Sequence, residues 1–128
     1  MSFSTMDLPD EPTVAAPDGS DVRVLLAARG ASVAHFELGP GAVAAAVRHR
    51  SVDEVWFVLA GRGRMWRRDE DGEEVVELVP KRCLDIPVGT SFQFRCDGDE
   101  PLEIVGTTSP VWPGDDEAVP VDGPWAAT

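Results

Sequence analysis

Apolar and polar residues alternate along most of the chain in short runs, and glycine or proline closes nearly every run. A period of two fits β-strands, whose successive side chains point to opposite faces. A helical period is almost absent. The segment ASVAHFEL at 31–38 alternates most clearly, with Ala34, Phe36 and Leu38 on one face and Val33, His35 and Glu37 on the other. VRVLLAA at 22–28 precedes it, and Gly39-Pro40-Gly41 forms a turn after it. GAVAAAVRH is read as a strand of small residues, EVWFVLAG as a buried strand closed by Gly61, and GRMWRR as the next strand. Asp69 to Gly72 supplies a hairpin turn. VVELV, RCLDIP, SFQFRC and PLEIVGTT follow at regular spacing. This all-β pattern predicts an antiparallel barrel or sandwich.

The chain has 128 residues, a length that suits one compact domain. Residues 1–20 are rich in Pro, Asp, Ser and Thr and are expected to form a flexible arm or a strand swapped onto a partner. Residues 21–109 carry the strand pattern, and residues 110–128 form a tail rich in proline and acids with Trp112 and Trp125. Exposed indoles are costly, so this tail is expected to wrap over the barrel or a partner subunit. The net charge of −12 argues against nucleic acid and anionic membrane surfaces as partners. No apolar run is long enough to span a membrane, and MSFSTMDLPDEPT does not resemble a secretory signal, so a cytoplasmic location is expected. Cys83 and Cys96 lie in no C-x-x-C motif and are read as small reduced core residues.

The chain has two histidines, His35 and His49, and the second lies five residues before Glu54. One strand ends at His49, a short turn follows and the next strand opens near Glu54, so both side chains can enter one interior. The spacing Gly41, Val47, His49, Glu54, Gly61 follows the pattern G-x5-H-x-H-x3,4-E-x6-G, with Val47 at the first histidine. Lys81, Pro87, Gly89, Phe92 and Cys96 follow G-x5-P-x-G-x2-H-x3-N, with Lys81 for glycine, Phe92 for histidine and Cys96 for asparagine. Across roughly residues 31–108 the chain therefore resembles the cupin superfamily, in particular its small single-domain members. The resemblance implies an antiparallel jelly-roll β-barrel and a dimer sharing an N-terminal strand or a sheet edge. It also implies a four-ligand metal position, of which two ligands, Val47 and Phe92, are replaced here by apolar residues.

Strand parity turns Val43, Ala45, Val47 and His49 inward on one strand and Glu54, Trp56 and Val58 inward on the next. Phe92 and Phe94 follow from the second motif. The expected cavity is apolar and aromatic, with one imidazole and one carboxylate near its mouth, as small-molecule pockets commonly are. His49 and Glu54 are the candidate catalytic pair for proton transfer, as isomerases, epimerases, cyclases and lyases require. Val47, Trp56, Phe92, Phe94, Trp66, Arg48, Arg50 and Arg64 are candidate substrate contacts. The arginines Arg48, Arg50, Arg62, Arg64, Arg67 and Arg68, expected to crowd two neighbouring strands, read either as solvated partners of acids such as Asp53, Asp69 and Glu70 or as a site for an anionic or carbonyl-bearing substrate. No cofactor is expected, and a weakly bound divalent metal would use His49 and Glu54. Alternative readings are a metal-dependent, dioxygenase-like enzyme with an incomplete ligand set (His35, Asp85 or Glu103 being further donors), a non-catalytic binding barrel, and a purely structural His49–Glu54 pair. A homodimer is expected, because closed two-fold pairs are the commonest homo-oligomers.

Overall fold

A computed structural model describes residues 2–128, the side chain of Ala15 excepted. Met1, the first residue of the expected N-terminal arm, lies outside the described residues. Eleven strands account for nearly all regular structure: β1 (Val14–Ala15), β2 (Asp21–Ala27), β3 (Ser32–Leu38), β4 (Val47–His49), β5 (Asp53–Ala60), β6 (Gly63–Asp69), β7 (Gly72–Leu78), β8 (Cys83–Ile86), β9 (Ser91–Cys96), β10 (Leu102–Ser109) and β11 (Ala118–Pro120). They form a six-stranded sheet in the order β1-β2-β3-β10-β5-β8 and a five-stranded sheet in the order β11-β4-β9-β6-β7. Every strand pairing is antiparallel. The expected jelly roll is thus present as two facing sheets, without a ladder that closes them into a continuous barrel.

The core lies between the sheets. Leu38, Val58, Leu84, Ile86, Leu102 and Ile104 of the six-stranded sheet meet Met65, Leu78, Phe92, Phe94 and Cys96 of the five-stranded one. Alternation along β5 decides which side chains enter: Glu54, Trp56 and Val58 are buried while Val55, Phe57 and Leu59 are exposed. Register then sets how deep the filling goes. At one end Val58 is level with Ile104, and Ile104 with Phe36, so bulky residues stand side by side. Toward the other end Trp56 is level with Gly106 and Ala34, and Glu54 with Thr108 and Ser32. Small residues opposite the indole leave that end of the sandwich hollow.

Three sequence expectations change. GAVAAAVRH forms a strand only at Val47–His49, with Val43 in an isolated bridge. Alternation fails in the irregular part, so Ala44 joins the core while Ala45, expected inward, is only partly buried. Cys83 is exposed on the edge strand β8, whereas Cys96 is buried. The arginine-bearing strands β4 and β6 are not neighbours, because β9 lies between them.

The terminal segments pack on their own chain. Val14 and Ala15 pair with β2, and the Arg23 guanidinium donates to the Pro9 and Asp10 carbonyls at 2.8 and 3.0 Å. At the other end β11 extends the five-stranded sheet beside β4. Buried Gln93 clamps the last residues, donating to the Trp125 carbonyl at 2.8 Å and accepting from its N–H at 3.2 Å. The Trp125 ring then lies against the guanidiniums of Arg64 and Arg95, both within 5.4 Å of its centroid.

Candidate active site in the hollow end

The hollow end encloses a cavity of about 250 Å3. His49 enters from the end of β4, opposite the small Ala118 of β11. Glu54 and Trp56 enter from β5 and Phe92 from β9. Gly106 allows this crowding: a Cβ there would come within 2.5 Å of the Phe36 ring and 3.0 Å of a Glu54 carboxyl oxygen. The His49 ring is held edge-on between Phe92 and Trp112, each with its centroid 5.1 Å away.

His49 Nδ1 and Glu54 Oε1 are 3.4 Å apart, and both side chains are about 95% buried. The separation lies within ion-pair range, but His49 Nδ1 makes no hydrogen bond. Burial disfavours charge on both partners. It pushes Glu54 up to about 7, with the Asp18 carboxylate adding to the rise and the Trp56 indole opposing it. It pushes His49 down to about 4, with the Glu117 carboxylate opposing the fall. The pair is therefore a carboxylic acid beside a neutral imidazole in mildly acidic solution, rather than two opposite charges. Trp56 Nε1 faces this pair but meets no partner in hydrogen-bond geometry, so two buried polar atoms are unsatisfied in one cavity.

A tail residue fixes the turn that sets His49 against Glu54. Glu117 is buried and accepts from the Ser51 N–H and hydroxyl, both at 2.6 Å, and from the Val52 N–H at 2.9 Å. Burial alone would raise its carboxyl, yet these hydrogen bonds and nearby His49 hold it below the usual range.

The candidate residues separate into two groups. Val47, His49, Glu54, Trp56 and Phe92 line the cavity. Phe94 lies deeper, packed on Trp56 at 4.9 Å, in the core. Trp66 points to the outer face, where its N–H donates to Glu73 at 2.6 Å. Arg48, Arg50 and Arg64 also fall outside the cavity, because their parity is opposite to that of Val47, His49 and Met65. Arg64 pairs with Asp97 at 2.7 Å, and Arg67 with Glu74 and Asp85 at 2.6 and 3.2 Å, rather than with Asp53, Asp69 or Glu70. Arg68 stacks on the Trp66 ring, 5.2 Å from its centroid, and none of these arginines lines the cavity.

The sequence reading missed Asp18, Ser32, Phe36, Thr108, Trp112 and Asp115 among the further residues that line the wall. Two of them had a signal: Phe36 lies on the apolar face of the alternating 31–38 segment, and Trp112 is an indole in a tail too polar to bury it alone.

The cupin-type metal position does not fit these side chains. Its four places fall on Val47, His49, Glu54 and Phe92, and the first and last have no donor atom. His35 is on the outer face, 3.0 Å from Glu103, and Asp85 is exposed beside Arg67. Among the described residues no group of three or more His, Cys, Asp or Glu could hold a metal ion.

The cupin domain model matches residues 34–108, more than half of the chain. The chain is 28% identical over 96 residues to xanthan biosynthesis protein XanB of Xanthomonas campestris pv. campestris, covering 75% of this chain and 20% of XanB. It thus spans about one-fifth of that curated relative. Among solved structures, an uncharacterized conserved protein with a double-stranded beta-helix domain from Klebsiella pneumoniae superposes with a TM-score of 0.72 at 16% identity, covering 95% of this chain and all of that one. Oxalate decarboxylase OxdC of Bacillus subtilis gives a TM-score of 0.72 at 18% identity, over 88% of this chain and 30% of OxdC. At such identities these two likenesses concern the fold alone. With the family match, the motif spacing and the two-sheet architecture in agreement, the chain belongs to the cupin domain family.

Proposed function

We propose that the protein is a small-molecule enzyme that transfers a proton with Glu54 as acid and His49 as base, in isomerase, epimerase, cyclase or lyase chemistry without a firmly bound metal. One observation supports the reading most: a carboxyl held protonated toward neutrality lies 3.4 Å from an imidazole held neutral, on the wall of an apolar cavity. Environments that push two titratable groups apart in this way assign one as acid and the other as base. The reading also accounts for a buried polar pair that a fold selected for stability alone could replace with apolar residues.

The test is turnover. Small compounds with an acidic C–H bond would be incubated with the protein in D2O, and exchange or rearrangement followed by NMR. Glu54→Gln keeps the shape of the side chain and removes its proton, so the rate should fall on the order of 100-fold or more. His49→Ala should lose a comparable factor. A substrate turned over equally well by both variants would make the pair structural.

We infer a homodimer as the working unit. Support comes from Val55, Phe57 and Leu59, which are 42–48% exposed on the outer face of β5, with β10 and β8 on either side.

A further inference from the structure

The cavity wall has an uneven charge composition. Three carboxyl groups border it, Asp18 and Glu54 within and Asp115 at the rim, and none of its lining side chains is Lys or Arg. Asp18 and Glu54 come from distant parts of the chain yet line the same cavity, where the Asp18 carboxylate adds to the burial that raises the Glu54 carboxyl. Asp18 is itself pushed up by burial, against the hydrogen bonds it accepts from Ser20 at 2.7 and 3.0 Å. The remaining wall is mostly apolar, and four aromatic side chains, Phe36, Trp56, Phe92 and Trp112, stand among its aliphatic residues. The unpartnered Nδ1 of His49, one of the two unsatisfied polar atoms, is an acceptor in one imidazole tautomer.

We propose that this cavity selects small organic cations, namely amines with an aromatic or branched apolar body. The proposal rests on the reading of the cavity as the ligand site and adds the charge of the ligand. An ammonium group beside Asp18 would give that carboxyl a reason to ionise while Glu54 keeps its proton, and it would gain from the faces of the surrounding rings. An anion in the same place would meet two acids and no donor cation. The net charge of −12 would draw cations toward the protein before any contact forms. The cavity is slightly smaller than the roughly 300–1,000 Å3 of drug-sized sites, which limits the ligand to a single ring or its equivalent.

Three ligands of similar shape decide it: phenethylamine, phenethyl alcohol and hydrocinnamate, titrated into the intact protein at neutral pH by calorimetry. The amine should bind tightest, about ten-fold better than the alcohol, or roughly 1.4 kcal/mol, with the acid weakest. Any other ranking overturns the charge preference while leaving the cavity as a ligand site. Binding by none of the three overturns the preference and the ligand-site reading together. Asp18→Asn keeps the oxygen that accepts from Ser20 and removes the charge, so the amine's advantage should shrink in that variant. An undiminished advantage in folded Asp18→Asn would exclude the Asp18 carboxyl as its cause and overturn the proposal's charge argument. If the variant does not fold, the ranking on the unaltered protein decides alone.

Discussion

Lys81 has φ of 75°, in the left-handed region, where a side chain crowds the backbone. It stands at the place where the family motif has glycine, at a turn in which its N–H donates to the Val58 carbonyl at 2.8 Å. Lys81→Gly should therefore raise stability by about 1 kcal/mol, seen as a higher midpoint in urea unfolding. An unchanged or lower midpoint would mean the turn is unstrained. The buried pair gives a second prediction at this scale. The Glu54 carboxyl is raised from 4.5 to about 7, so its contribution is full below pH 4.5 and is lost as pH rises through about 7. The His49 imidazole is lowered from 6.5 to about 4, so its contribution is full above pH 6.5 and is lost as pH falls through about 4. These losses run in opposite directions and largely mask each other in the native protein. Glu54→Gln removes one of them. Its stability relative to the native protein should increase as pH rises from 4.5 to beyond 7, by on the order of 3 kcal/mol at most. Urea unfolding of both proteins at pH 5 and pH 8 measures this, and an equal difference at the two values would contradict a carboxyl kept protonated by burial.

Between β4 and β9, Val47 and Phe92 are direct cross-strand partners, and His49 is two residues further along the same face. Cross-strand neighbours have Cβ atoms roughly 4.5–5.5 Å apart. Replacing both with histidine would bring three imidazoles and the Glu54 carboxylate toward one point. The double variant Val47→His, Phe92→His should gain tight Zn2+ binding in calorimetric titration, and without metal it should be less stable because polar atoms enter an apolar wall. A folded double variant that binds Zn2+ no better than the native chain would refute the shared face. Strands β4 and β5 show what alternation conveys from sequence. Along regular β4 and β5 it identified His49, Glu54 and Trp56 as inward residues. It failed over Ala44–Ala46, where the chain leaves the ladder and period two no longer applies.

At the scale of the whole molecule, the exposed row Val55, Phe57, Leu59 lies in the interior of the six-stranded sheet rather than on an edge strand. A second copy covering that face would remove it from water without new backbone pairing. Light scattering at micromolar concentration should give twice the chain mass, and Phe57→Asp should give the monomer, because a charge would be buried against the partner. A native monomer would disprove the dimer. No helix among the described residues is long and apolar enough to cross a membrane.

Local pattern in the sequence was enough for the strand succession, the glycine-closed turns and the inward His49–Glu54 pair. Each depends on neighbours a few residues away, and a period of two or a turn residue records them directly. The completed cavity depends on residues distant in the chain. Asp18 arrives from the loop before β2, Trp112 and Asp115 from the tail, and Glu117 reaches back to hold Ser51 and Val52. Gly106 makes room only because Trp56 lies opposite it, a pairing set by the register of β10 on β5. Such contacts are set by how strands align and how the two sheets close over one another. One strand's alternation contains no information about that alignment, so only the tertiary structure could assemble the acidic, aromatic pocket from its separate pieces.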